Sequence, residues 1–209
     1  MKEFKYNNLK LIYYDDSLDC RLIADYLIDL NYNSRHGSDS QRDARAYSSG
    51  RGKIFQLSVN NKNLIIRRYH RGGIIGKFLK TQYLNNRRFI DEFKILRLLE
   101  ERGFDTTRPA FVSIIRNFPF YSAYLGTYKI PRQINLYDLI QTNRSSFEEN
   151  KTALFQKIVD SIIKLSEIGV YHPDVHLKNI IVSEDFTRIY IIDFDKGEYA
   201  NKDCEYGRV

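Results

Sequence analysis

The stretch His172-Pro173-Asp174-Val175-His176-Leu177-Lys178-Asn179, with Asp193-Phe194-Asp195 further on, decides how this chain is read. Between the two lie Ile180 to Val182 and Arg188 to Ile192, apolar and rich in β-branched residues, around a turn of Ser183 to Thr187. Such runs flanking a polar turn predict a β-hairpin. A hairpin returns the chain to where it left, so Asp174, Asn179 and Asp193 are expected at one point on the rim of a small sheet.

Outward from that hairpin, Glu148 to Ile168 carries Leu154, Ile158, Ile162 and Leu165 at helical spacing and closes at Gly169. Leu136 to Gln141 reads as a short helix, and Pro131 ends a sheet-rich first part. There Phe55, Leu57 and Val59 alternate with Gln56, Ser58 and Asn60, and a turn of Asn60 to Asn63 leads into Leu64, Ile65 and Ile66, a second hairpin. A helix is predicted from about Asn86 to Arg102, with Phe89, Phe93, Leu96 and Leu99 on one face and Gly103 as its stop. Phe111 to Ile115 and Tyr121 to Ile130 read as strands broken at Asn117 to Pro119. Leu18 to Leu30 predicts one amphipathic helix through Leu22, Ile23, Tyr26, Leu27 and Leu30, and the polar stretch Asn31 to Gly50 predicts a loop.

A chain of 209 residues with 43% hydrophobic, 28% charged and only 4 Pro can bury one substantial core or two small lobes, which argues against a disordered or fibrous protein. No run approaches the 18 or so apolar residues of a membrane span, and the amino terminus lacks the apolar stretch of a signal peptide. Cys20 and Cys204 fit neither a CxxC nor a metal-ligand pattern, consistent with a reducing compartment. The formal net charge of +7 is concentrated: Lys62 to Arg102 holds eleven Lys and Arg against four Asp and Glu. That segment is either a solvated basic face or the surface that meets an anionic partner such as phosphate, nucleic acid or lipid head groups.

Phosphoryl transfer needs a carboxylate that orients and deprotonates an attacking hydroxyl, and two oxygen ligands that hold Mg²⁺ against nucleotide phosphates. Asp174, Asn179 and Asp193 supply that set at the spacing of the kinase pattern HxDxxxxN and its following metal-binding Asp. The bland alternative is that Asp174 and Asn179 are turn and cap residues.

Beyond this pattern, the chain resembles the protein-kinase-like superfamily, and more narrowly the bacterial lipopolysaccharide core kinases that act on 3-deoxy-D-manno-octulosonic acid (Kdo). The stretches that carry the resemblance are GRGKIFQL, IIRRYHRGGIIGKFLKTQYL, RRFIDEFKILRLL, YSAYLGTYKIP, YHPDVHLKNIIV and YIIDFDKGE, from Gly50 to Glu198. It implies an α+β, two-lobed protein-kinase-like fold: an N-lobe over 1–130 with an N-terminal helix, a glycine loop, an antiparallel sheet and a Glu-bearing helix, and a short, mostly helical C-lobe over 131–209, with ATP and Mg²⁺ between them. It further implies Asp174 as catalytic base, Asn179 and Asp193 as Mg²⁺ ligands, and His172 as a structural support of the loop. Gly50 and Gly52 would lie in the phosphate-covering hairpin, where the missing side chains let backbone N–H groups approach the nucleotide. Arg67 would take the place of the third-strand Lys with Glu92 as its ion-pair partner, Arg68 being an alternative, and Tyr128 to Ile130 would be the hinge that meets adenine.

Several positions depart from the wider pattern. The loop GRGKIF lacks a third glycine, Arg67 replaces a point ammonium by a planar fork, and Asp195 stands where DFG has Gly. Asp195 is a possible second ligand, and His176 is placed to touch either phosphate or acceptor. Only sixteen residues follow Asp193, so the expectation is a minimal or shortened C-lobe. The resemblance implies ATP-dependent phosphorylation of a Kdo sugar on Kdo-lipid A, on its 4-hydroxyl, at the cytoplasmic face of the Gram-negative inner membrane. The chain would be a peripheral protein on that anionic surface, with no transmembrane segment and no nucleic acid expected. The other readings are a kinase of the same fold for heptose, a small molecule or a protein, and a non-catalytic basic binding module.

Overall fold

The computed structural model describes residues 1–36, 47–49, 52–69 and 87–200. The chain divides into two compact units, one of Met1–Phe93 with Pro109–Lys129 and one of Lys94–Arg108 with Ile130–Val209.

The first unit is built on an antiparallel sheet in the order β1-β2-β6-β7-β5-β4-β3. Its strands are β1 (Lys2–Tyr6), β2 (Leu9–Tyr13), β3 (Tyr47–Ser49), β4 (Gly52–Val59), β5 (Lys62–Arg68), β6 (Pro109–Asn117) and β7 (Phe120–Tyr128). Two helices accompany it, α1 (Cys20–His36) and α2 (Arg87–Glu101), the second continuing into the other unit after Phe93. The β4–β5 hairpin turns on Asn60 and Asn61, both at positive φ, which Asn tolerates better than most residues and which matches the twist of the flanking strands. In the turn from β1 to β2, Asn7 alone stands at positive φ, 53.

Alternation along the strands gives each face its own helix. Leu64, Ile66 and Arg68 of β5 stand opposite Tyr128, Gly126 and Tyr124 of β7 and share one face, whereas Ile65 and Arg67 share the other. On the first face Leu64, Ile66, Phe111 and Tyr124 pack with Leu9 and Leu11 of β2 and with Ile23, Ala24 and Leu27 of α1. Gly126 is required there, because a Cβ at that position would stand 2.3 Å from the edge of the Phe111 ring. On the opposite side Phe89 and Phe93 of α2 are fully buried, with Tyr69 tilted against Phe89 and Tyr14 stacked on Phe93.

Three sequence expectations change here. The polar stretch predicted as a loop from Asn31 begins with one and a half further turns of α1, to His36, and ends in β3; the rest of it, 37–46 and Gly50, lies outside the described residues. Leu22 is exposed while Ala24 is buried, so the packed face of α1 is rotated slightly from the one predicted. The second strand of the β6–β7 pair ends at Tyr128, short of Ile130.

The second unit contains β8 (Gln133–Asn135), α3 (Leu136–Thr142), α4 (Arg144–Ile168), β9 (Val170–Tyr171), a 3-10 turn (Leu177–Asn179), β10 (Ile180–Ser183), β11 (Ile189–Ile191) and β12 (Glu198–Tyr199). Asn135 caps α3 by accepting from the Asp138 N–H, and Asn143 caps α4 by accepting from Ser146. Gly169 at φ 82 ends α4 in the left-handed conformation expected of it. Leu136, Leu139, Leu154, Ile180, Val182 and Ile189 form a core between these helices and the β11-β10-β8 sheet.

The predicted stripe on α4 needs one correction. Leu154 and Leu165 are buried and Ile158 is half-buried, but Ile162 is 46% exposed. At 100° per residue Leu165 returns to within about 20° of Leu154, whereas Ile162 is displaced by about 80° and leaves the packed stripe. The tail of the hairpin is tied to the end of α2, since Thr106 Oγ1 donates to the Ile191 carbonyl at 2.7 Å and the Ile191 N–H donates to Asp105 at 3.2 Å.

Candidate active site

In the second unit one backbone residue gathers the polar cluster. The Ile192 N–H donates to the Asn179 carbonyl at 2.9 Å, and its own carbonyl lies 3.0 Å from His172 Nε2. Both ends of the segment 172–179 are therefore pinned beside Asp193. The β10–β11 ladder, which pairs Ile180 with Ile191, carries this closure, and the β9–β12 pair repeats it on the outer side.

His172 is buried and set edge-on against the buried Phe194 ring, at a centroid distance of 4.5 Å. Its Nδ1 accepts the Asp174 N–H at 3.2 Å, so the hydrogen belongs on Nε2, where it meets the Ile192 carbonyl. The same logic applies to His176, whose Nδ1 accepts from Lys178 N–H at 3.2 Å and whose Nε2–H is thereby directed outward.

Asn179 is buried, and its Nδ2 donates to the Asp174 carbonyl at 3.0 Å. That bond fixes the orientation of the amide, with Nδ2 on the Asp174 carbonyl and Oδ1 on the other side as an acceptor. Asp193 sits at φ 70, a left-handed conformation uncommon outside Gly, Asn and Asp, and such residues cluster at functional sites. The Asp174 carboxylate is half exposed; Lys196 Nζ lies 3.6 Å from its Oδ2 and His176 Nε2 4.0 Å from its Oδ1. Asn179 Oδ1 and the Asp193 carboxylate are hard oxygen donors, the chemistry that suits Mg²⁺.

In the first unit Arg67 and Glu92 meet: Arg67 NH2 donates to Glu92 Oε1 at 2.5 Å, and Tyr69 Oη donates to Oε2. The Glu92 side chain is 1% exposed and that of Arg67 27%. Arg68, the alternative, belongs to the opposite face and reaches Asn31 of α1 at 3.4 Å. Gly52 opens β4 opposite Ser49, and Gly50 lies outside the described residues. Tyr128 donates its hydroxyl to Asp15 Oδ2 at 2.7 Å, and the Lys129 N–H is bonded to the Asn63 carbonyl at 2.9 Å. Lys62, Ser17 and Tyr128 all donate to Asp15, which holds its carboxyl far below the ordinary value of 3.8. Ile130 is half-buried and belongs to the second unit.

The family model of the lipopolysaccharide kinase (Kdo/WaaP) family matches residues 39–203. This chain belongs to that family. A 3-deoxy-D-manno-octulosonic acid kinase from Vibrio vulnificus is 33% identical over 153 residues, 71% of this chain and 62% of the relative. Another of the same description from Pasteurella multocida is 29% identical over 168 residues, 75% of this chain and 68% of the relative. The chain thus spans less than two thirds of the length of the Vibrio relative. Among solved structures, WaaP in complex with acyl carrier protein aligns with a TM-score of 0.53 at 14% identity, covering 90% of this chain and 72% of that one. The fold is accordingly the α+β, kinase-like one of the Kdo/WaaP family.

Two residues without a motif signal of their own stand beside candidates, Lys196 beside Asp174 in the second unit and Tyr69 beside Glu92 in the first. Lys196 was visible only as part of the string DFDKGE; its proximity to Asp174 depends on the turn Phe194 to Gly197, closed by Gly197 N–H to the Phe194 carbonyl at 2.8 Å. Tyr69 belonged to the quoted RRYHRGG block, but its bond to Glu92 arises where β5 ends and no spacing rule signals it. Among the described residues no helix is long and apolar enough to cross a membrane.

Proposed function

We propose that this chain transfers the γ-phosphoryl group of ATP to a hydroxyl of a Kdo sugar on Kdo-lipid A. The observation that carries the reading is the closure at Ile192, which gathers Asp174, Asn179 and Asp193 on a kinase-family chain. The acceptor follows from the relatives' name, 3-deoxy-D-manno-octulosonic acid kinase.

In this reading Asp174 accepts the hydrogen bond of the attacking hydroxyl and takes its proton, while the hydroxyl oxygen bonds to the γ-phosphorus and the bond to the bridging oxygen breaks, releasing ADP. Asn179 Oδ1 and the Asp193 carboxylate would hold Mg²⁺, which when bound neutralises phosphate charge. Arg67, held by Glu92, would screen phosphate charge, and by the family resemblance Gly50 and Gly52 would belong to the phosphate-covering loop. His172 holds the Asp174 backbone in register with Ile192 and takes no part in proton transfer.

With a lipid-linked acceptor, the reaction would take place at the cytoplasmic face of the inner membrane, with the protein bound peripherally. The surplus of positive charge over Lys62 to Arg102 would favour an anionic lipid surface. The test is direct: the purified chain is incubated with ATP, Mg²⁺ and Kdo-lipid A, and the product is examined by mass spectrometry for a phosphorylated Kdo. Transfer should depend on Mg²⁺ and vanish in Asp174→Ala; full activity of that variant, or transfer to heptose in preference to Kdo, overturns the reading.

A further inference from the structure

Lys196 is the one described ammonium beside Asp174, and its position is fixed from the backbone. It is the third residue of the turn Phe194 to Gly197, whose first residue is anchored by a fully buried ring and whose ends are hydrogen-bonded. A side chain at Gly197 would crowd this turn, its Cβ standing 3.0 Å from the Phe194 carbonyl oxygen. From this base Lys196 Nζ reaches to 3.6 Å from Asp174 Oδ2, beyond hydrogen-bond length, with both side chains more than or about half exposed. A pair of that kind contributes little to stability. It therefore does not explain why a cation stands at this place.

The surroundings suggest a ligand. His176 Nε2–H, directed outward by the bond that its Nδ1 accepts, lies near the other oxygen of Asp174 at 4.0 Å. Val175 and Leu177 are exposed apolar side chains on the same short segment. A hydroxyl held at Asp174 would thus have an ammonium and an imidazole N–H within a few ångströms of its neighbouring substituents, with apolar surface alongside for ring C–H groups. A neutral sugar gives the ammonium nothing to neutralise, whereas a sugar acid brings a carboxylate.

We infer that Lys196, assisted by His176, binds the carboxylate of an acidic sugar acceptor and sets the preference for a sugar acid over a neutral sugar. The inference rests on the reading of Asp174 as the base and adds to it the residue that reads the acceptor's charge. A charge-assisted hydrogen bond to the carboxylate corresponds to roughly a tenfold or greater preference in kcat/KM.

The experiment compares two acceptors, Kdo-lipid A and the same molecule with the Kdo carboxyl reduced to a primary alcohol. The wild-type chain should prefer the acid by about tenfold or more. In Lys196→Met the ratio should fall to below about threefold, with KM for ATP and the melting temperature unchanged, and Lys196→Arg should keep most of the preference. An equal loss on both acceptors, or a preference that survives Lys196→Met, overturns the inference and leaves the kinase reading standing. Calorimetric titration of a Kdo glycoside without ATP separates the two failures: binding weakened at least fivefold by Lys196→Met supports the carboxylate site even if no phosphate is transferred, and binding that is absent or insensitive to the substitution overturns it.

Discussion

Glu92 and Asp174 are the same chemical group in opposite circumstances. Glu92 is buried, with Arg67 on one oxygen and Tyr69 on the other. Asp174 is half exposed, and its nearest donors, Lys196 Nζ and His176 Nε2, stand at 3.6 and 4.0 Å, outside hydrogen-bond reach. A carboxylate whose oxygens are already bonded can hold a structure but cannot take a proton from a substrate. One whose backbone is bonded on both sides and whose oxygens are left open is held without being occupied. On the proposed reading, the difference separates a residue that holds the structure of its own unit from one left open to a substrate.

The same kind of change at the two positions should therefore give opposite results. Asp174→Asn should lower phosphoryl transfer by about a thousandfold, roughly 4 kcal/mol of barrier, with the melting temperature within about 2 °C of wild type. Loss of folding instead would remove the distinction. Glu92→Gln should lower stability by about 3 kcal/mol in chemical denaturation, because Arg67 is left partly buried beside a neutral amide. A change below about 0.5 kcal/mol would show that the pair is surface-like.

A third prediction tests whether packing around the first unit's sheet is as tight as its ion pair. Gly126→Ala should cost about 2 kcal/mol, since the new methyl collides with the Phe111 ring, and Phe111→Leu in the same chain should recover part of it. The smallest effect concerns Asp15. Its folded pKa lies below the ordinary 3.8, so its contribution is fully present above about pH 4 and is lost as pH falls towards the folded value. Asp15→Asn should lower stability by about 1–2 kcal/mol at pH 7 and flatten the decline between pH 4 and 2, measured by denaturation at each pH.

What the sequence made legible follows the range of the interactions involved. Asn60-Asn61, Gly169 and the stripe Phe89, Phe93, Leu96 and Leu99 carry local signals, and the hairpin, helix stop and buried face appear where expected. The β1–β2 hairpin was passed over although Lys2 to Tyr13 alternates around Asn7-Asn8, because exposed Lys and Glu dilute its outer strand. The short pair β9–β12 had no signal, since two-residue strands leave no period to detect. At the candidate site the positions Asp174, Asn179 and Asp193 were legible from spacing. Lys196 was not, as its place beside Asp174 comes from a turn stacked on a buried ring rather than from any repeat.

The helix α1 and the strand β2 bear on how this protein can be handled in the laboratory. The family match begins at residue 39, yet Leu9, Leu11, Ile23, Ala24 and Leu27 all precede it and close one face of the sheet. A fragment trimmed to the recognisable region would present Leu64, Ile66, Phe111 and Tyr124 to water and should aggregate on expression. The boundary of what can be recognised and the boundary of what can fold are different residues in this chain.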